Sequence, residues 1–162
     1  MSAGKTIFRS KLTDVDTSAK DGVGEIRIEG NKIYKYVKLY NDTATAAVVS
    51  GDVLCYAAAT GPTTSTVVMD LDDANAADYR IGAGVALATC AGTVDTAFYI
   101  WIQVRGPATV AKTLPGSDDG TALTMSNASA DGTLVIKNAL TEIAVAIGAD
   151  ESAGEILCNF PF

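Results

Sequence analysis

The stretch Ala97–Pro107, AFYIWIQVRGP, places Phe98, Tyr99 and Trp101 within four residues of a chain otherwise rich in Ala, Gly, Thr and Asp. Phe98, Ile100, Ile102 and Val104 alternate with Tyr99, Trp101 and Gln103, so an extended strand sends one set to each face. The first set is wholly apolar and predicts the spine of a core. The second suits another layer of the fold or a neighbouring protomer, where aromatic side chains contribute strongly, and this makes Tyr99 and Trp101 the candidate protomer interface. Gly106-Pro107 is expected to end the strand, because proline cannot donate to a ladder.

Working outward toward the N-terminus, EIRIEGNKIYKYVKLY at 25–40 alternates through Ile26 and Ile28, turns at Gly30-Asn31 and resumes with apolar and aromatic residues. That pattern predicts a hairpin closed by a pair that tolerates positive φ. GDVLCYAA from Gly51, STVVMDL from Ser65 and RIGAGVALAT from Arg80 read as further short strands between turn signals. Residues 1–24 show no core-forming period and predict an extended arm.

Beyond Pro107, ATVAKTL, GTALTM, GTLVIK, EIAVAIG and EILCNFPF read as five more short segments separated by PGSDDG, SNASADG and GADESAG. Turn signals every 8–12 residues or so mark an all-β sandwich or barrel. Leu140, Ile143, Ala144 and Ile147 also fit a helical face, so one short helix near 139–147 is the rival reading. The expected fold is mainly β: an antiparallel sandwich or barrel-like domain over 25–162, or two small β lobes split near 106–116, with the arm at 1–24 and at most a short helix. IGAGVALATCAG and VAIGADESAGEILC echo each other faintly, which fits the two-lobe alternative.

Composition narrows the function classes. The 162 residues suffice for one domain, yet Ala supplies 26 of them, so the apolar fraction of 48% overstates the core. A net charge of −7 argues against nucleic acid as a partner. No apolar run approaches the ~18 residues of a membrane span. The N-terminal MSAGKTIFRSKLTD has cations but no apolar h-region, so synthesis in a cytoplasm is expected.

With no histidine in the chain, the commonest general base is missing. Cys55, Cys90 and Cys158 lack CxxC spacing and read as buried thiols. Asp70, Asp72, Asp73 and Asp78 cluster in sequence but lack the Gly and Glu that a calcium loop requires at its sixth and twelfth positions, so a solvated turn is expected. IGAGVAL lacks the spacing of a phosphate loop. Neither a catalytic residue nor a cofactor or metal site is predicted. The sequons at Asn41 and Asn127 carry little weight without a secretory signal.

Taken in order, the hairpin with its Tyr-Lys-Tyr-Val run, IGAGVALATCAG, YIWIQVRGPATV, GSDDGTALTM, ADGTLVIK and the terminal ILCNFPF resemble a recurrent type of small virion protein of tailed bacteriophages, the head decoration or cement proteins. The likeness spans roughly 24–162. It implies a non-enzymatic protein on the capsid exterior that stabilises the shell by binding the major capsid protein, as a homotrimer, with a terminal arm that staples neighbouring subunits. On that reading Lys5, Ile7, Phe8, Arg9 and Lys11 are the expected capsid contacts, a locally basic arm on an acidic protein facing an acidic partner. Two alternatives stand beside it: a tail, fibre or surface adhesion module that binds host glycan, and a carboxylate-dependent hydrolase.

Overall fold

The computed structural model describes residues 8–40, 47–57, 61–69, 81–91, 96–114, 119–125, 132–137, 144–150 and 152–161. Lys5, Ile7, the Asp70–Asp78 cluster and both sequons lie outside them. The described chain is mainly β, as expected, with one helical turn, α1 (Gly61–Thr64).

The hairpin forms where its pattern places it. Strands β1 (Ile26–Glu29) and β2 (Lys32–Tyr40) pair antiparallel, with Glu29 opposite Lys32 across the two-residue turn. Gly30 takes φ 59, the positive φ at the first central position that a type II′ turn requires.

Five strands close a barrel in the order β2, β4 (Thr66–Val68), β3 (Val53–Tyr56), β5 (Gly82–Ala86), β6 (Ala97–Thr109) and back to β2. The long β2–β6 pairing, from Tyr40 opposite Ala97 to Ile33 opposite Arg105, closes the ring. The β2–β4 pair is parallel and the others are antiparallel. β1 sits outside the ring on β2. A second sheet grows from the far half of β6 in the order β10 (Glu155–Asn159), β9 (Ala146–Asp150), β7 (Ala122–Met125) and β8 (Leu134–Ile136).

β6 is therefore longer than its sequence suggests. It runs through Gly106-Pro107 to Thr109, and the first two residues of ATVAKTL are its end rather than a new strand. β2 leaves β6 at Arg105, and beyond that point only β10 pairs with it, Leu157 standing opposite Pro107. The Pro107 carbonyl accepts from Gln103 Nε2 at 2.8 Å rather than from the ladder, so the missing N–H falls on the unpaired edge, where proline is tolerated. Gly106, at φ 92, has no room for a Cβ, which would stand 2.5 Å from the Asn31 carbonyl oxygen at the hairpin turn.

One apolar core spans both sheets. Val37, Leu39, Leu54, Val67, Val85, Ile100, Ile102 and Val104 of the barrel join Leu123, Leu134, Ala146, Ile156, Cys158 and Phe160, from beyond 106–116, in a single buried cluster. Phe98, half-buried, packs against it, so the apolar face of β6 is the spine that its alternation predicts. Cys55, Cys90 and Cys158 are buried free thiols. Ala146 and Ile147 lie in strand β9, against the helical alternative there, while 138–143 lie outside the described residues.

Candidate functional site: an aromatic face clasped by the N-terminal segment

Tyr99 and Trp101 point out of the barrel, as the alternation requires, beside Tyr34 and Tyr36 of β2. Tyr36 stands opposite Trp101 in the ladder, and their rings lie 5.1 Å apart. Tyr99 stacks on Tyr36 at 6.4 Å. Left bare, this would be a large exposed aromatic patch, and residues 8–24 cover it.

Phe8 meets Trp101 edge to face at 5.2 Å. The Arg27 guanidinium lies over both rings, 5.1 Å from Phe8 and 5.9 Å from Trp101. Trp101 Nε1 donates to Ser10 Oγ at 2.8 Å, and that hydroxyl donates in turn to the Asp21 carboxylate. Asp21 also accepts the Arg9 and Ser10 N–H groups, at 2.7 and 3.0 Å. Burial pushes its carboxyl up, but these donors and the Arg9 charge outweigh that and hold it below the ordinary 3.8. Asp16 and Tyr99 exchange both backbone hydrogen bonds, 3.2 and 2.8 Å, as one isolated antiparallel bridge. The Lys20 N–H reaches the Tyr36 hydroxyl at 3.3 Å.

The result decides between the two roles open to the second face of β6. Trp101 has no exposed surface within its own chain. Its cover is intramolecular, so the placement of Trp101 at a protomer interface is corrected; Tyr99 is half-buried beside it. The physical reason is that residues 8–24 supply the missing layer, tied by polar contacts that leave no apolar period in the sequence.

Among the proposed capsid contacts, Phe8 is turned inward onto Trp101, whereas the Arg9 and Lys11 side chains are exposed. The described part of the arm thus folds back along the barrel instead of projecting from it. Ser10, Asp21 and Arg27 carry the clasp, and no motif in the sequence singles them out. Only Arg27 left a signal, as the alternate of Ile26 and Ile28: in register with Tyr34, it faces the aromatic side, while Ile28 stands 68% exposed.

Lys35 and Asp52 are buried ionisable groups away from the clasp. Lys35 shares the inward register of Val37 and Leu39. Its Nζ donates to the Tyr56 hydroxyl at 3.1 Å, and that hydroxyl donates to the Pro161 carbonyl at 3.1 Å. Burial lowers the Lys35 amine and pushes Tyr56 up to about 12. The chain of bonds ties residue 161 to the barrel interior. Asp52, also buried, accepts the Val49 N–H at 2.8 Å through Oδ2, and its Oδ1 lies 3.8 Å from Lys112 Nζ. Its own backbone carbonyl accepts from Ala86 at 2.9 Å, so Asp52 holds the turn before β3 against β5 and the segment after β6.

Burial also pushes the Cys90 and Cys158 thiols up to about 11 and about 12, away from the reactive thiolate. Among the described residues, no three His, Cys, Asp or Glu side chains gather to hold a metal. What this arrangement does chemically is fix a segment of chain on a barrel. Comparison with protein-family models, curated proteins and solved structures returns no match.

Proposed function

We propose that this chain is a structural virion protein without catalytic activity, a decoration or cement protein that binds the major capsid protein on the outside of an assembled tailed-phage shell, as a homotrimer. The observation that carries the reading is the clasp. Its hydrogen bonds and ring contacts fix residues 8–24 on a closed barrel, and they leave Arg9, Lys11 and Lys20 exposed along that segment. These exposed cations, set among the half-buried Asp14, Asp16 and Asp21, suit recognition of an acidic surface, through orientation and association rate more than through bulk affinity. A binder selective for assembled lattice stabilises it by mass action. The resemblance in the hairpin and in the Trp-Ile-Gln-Val-x-Gly-Pro run supplies the identity of that lattice.

The copy number of the chain relative to the major capsid protein, measured by quantitative mass spectrometry of gradient-purified particles, tests the reading. A number comparable to the capsid protein, or a fixed large fraction of it, supports a shell component; a handful of copies, or none, overturns it. Deleting residues 1–20 would also strip Ser10 and Phe8 from Trp101. The cleaner variant is therefore Lys11→Glu with Lys20→Glu, which spares the Arg9 charge that supports Asp21 and is expected to weaken shell binding while leaving the fold intact.

A further inference from the structure

The outer side of the second sheet carries a row of apolar residues that no other described residue covers. Strand register places Pro107 opposite Leu157, Leu157 opposite Ile147 and Ile147 opposite Ala122, so the four side chains line up across β6, β10, β9 and β7 on one face. The opposite face of the same strands holds Cys158, Ala146 and Leu123 in the core. Leu157 is 48% and Ile147 42% exposed, Pro107 is exposed and Ala122 half-buried. Isolated apolar residues on a surface are ordinary, but a contiguous row on a sheet face offers a partner apolar area to bury.

The flanks of the row differ in sign. One residue pair along the strands to one side stand Arg105 and Asn159, and to the other stand Thr109 and Glu155, with Asp150 opposite Glu155. Arg105, Asn159, Thr109 and Glu155 lie about 7 Å from the row, two residues along each strand, and Asp150 lies three residues from Ile147, past a bulge. Arg105, Glu155 and Asp150 are all exposed. An axis of rotation parallel to the row and lying just above it brings Leu157 and Ile147 of each copy onto the axis. It also sets the Arg105 flank of one copy against the Glu155 and Asp150 flank of the next. Any closed cyclic arrangement about that axis satisfies both the apolar row and the charges.

We propose that the occupant of this face is further copies of the same chain: the row Pro107–Leu157–Ile147–Ala122 lies on the symmetry axis of a cyclic homo-oligomer, with Arg105 of each copy facing Glu155 of its neighbour. This moves the protomer interface from the near half of β6, which the N-terminal segment covers, to its far half. The inference shares with the proposed function only the homo-oligomer and needs no capsid.

The test is sedimentation velocity with light scattering on the full chain across a micromolar dilution series. The wild type is expected to exceed the monomer mass. Leu157→Asp is expected to run as a monomer and to melt where the wild type melts once diluted to monomer, since the position is solvent-facing within the chain. Arg105→Glu is expected to weaken association by roughly tenfold or more, the scale of one interface anchor, and Arg105→Glu combined with Glu155→Arg to restore it. A wild type monomeric throughout the series, a Leu157→Asp variant of wild-type mass, or a double variant no better than the single one overturns the proposal. Because the assay contains no capsid, self-association without shell binding removes the decoration reading and leaves this one standing, and shell binding by a monomer does the reverse.

Discussion

Along β6 the outward side chains form two different surfaces. At Tyr99 and Trp101 they are aromatic rings under residues 8–24, half-buried and fully buried, whereas from Arg105 to Thr109 they are exposed on the second sheet. Both halves turn their other face to the same core. The two surfaces differ in what lies above them and therefore in what a substitution does. A side chain sealed within the chain contributes to folding, and one left open is available to a partner. Gly106 marks the passage between them, at the point where β2 gives way to β10.

Variants break or sharpen this comparison, the largest effect first. Trp101→Ala empties a filled site under the clasp, and it is expected to cost about 3–5 kcal/mol. Thermal denaturation would then show a fall in Tm of roughly 10 °C or more. A loss under 1 kcal/mol (about) would place Trp101 outside the folding unit. Gly106→Ala forces a Cβ toward the Asn31 carbonyl and a left-handed φ on an L-residue, and it is expected to cost about 2 kcal/mol or more by denaturant titration. Ser10→Ala leaves the Trp101 indole N–H buried without its acceptor, at an expected cost of about 1–3 kcal/mol. Faster amide exchange at residues 8–24 than in the barrel would locate that loss in the clasp.

Acid acts on the same contact. Asp21 has a folded-state pKa below its ordinary 3.8, so the unfolded or released segment takes up the proton first. The contribution of the clasp is constant above pH 3.8 and is lost as the pH falls below it through the folded-state value. Trp101 emission is expected to shift to the red in that window. Asp21→Asn is expected to abolish the pH dependence and to leave the segment loosened at neutral pH. On the far half of β6, Leu157→Ser is expected to change chain stability by less than about 0.5 kcal/mol.

The fold was legible where one residue type repeats with the period of its element. Phe98, Ile100, Ile102 and Val104 announce the inner face of β6, and Gly30-Asn31 announces the hairpin. The end of β6 was hidden, because whether Pro107 breaks a strand depends on which edge its nitrogen faces, and that is settled by where β2 departs. The clasp was hidden for a related reason. Ser10 and Asp21 hold Trp101 through hydrogen bonds across a separation of 91 positions or along a turn-rich run, and no periodicity records such contacts. Arg27 and Lys35 sit in alternating patterns, yet they turn toward aromatic rings rather than solvent, which ring contacts decide and hydropathy does not. The row Pro107–Leu157–Ile147–Ala122 exists only through strand register.

Because Trp101 is the single tryptophan of the chain, acrylamide quenching of its fluorescence tests the central claim most directly. The measurement is made on the wild type diluted until sedimentation shows only monomer. A clasp within the chain predicts blue-shifted, poorly quenched emission there, unchanged when the concentration is raised. Red-shifted, readily quenched emission in the monomer that becomes protected only on association would contradict it, and would return Trp101 to the interface between copies.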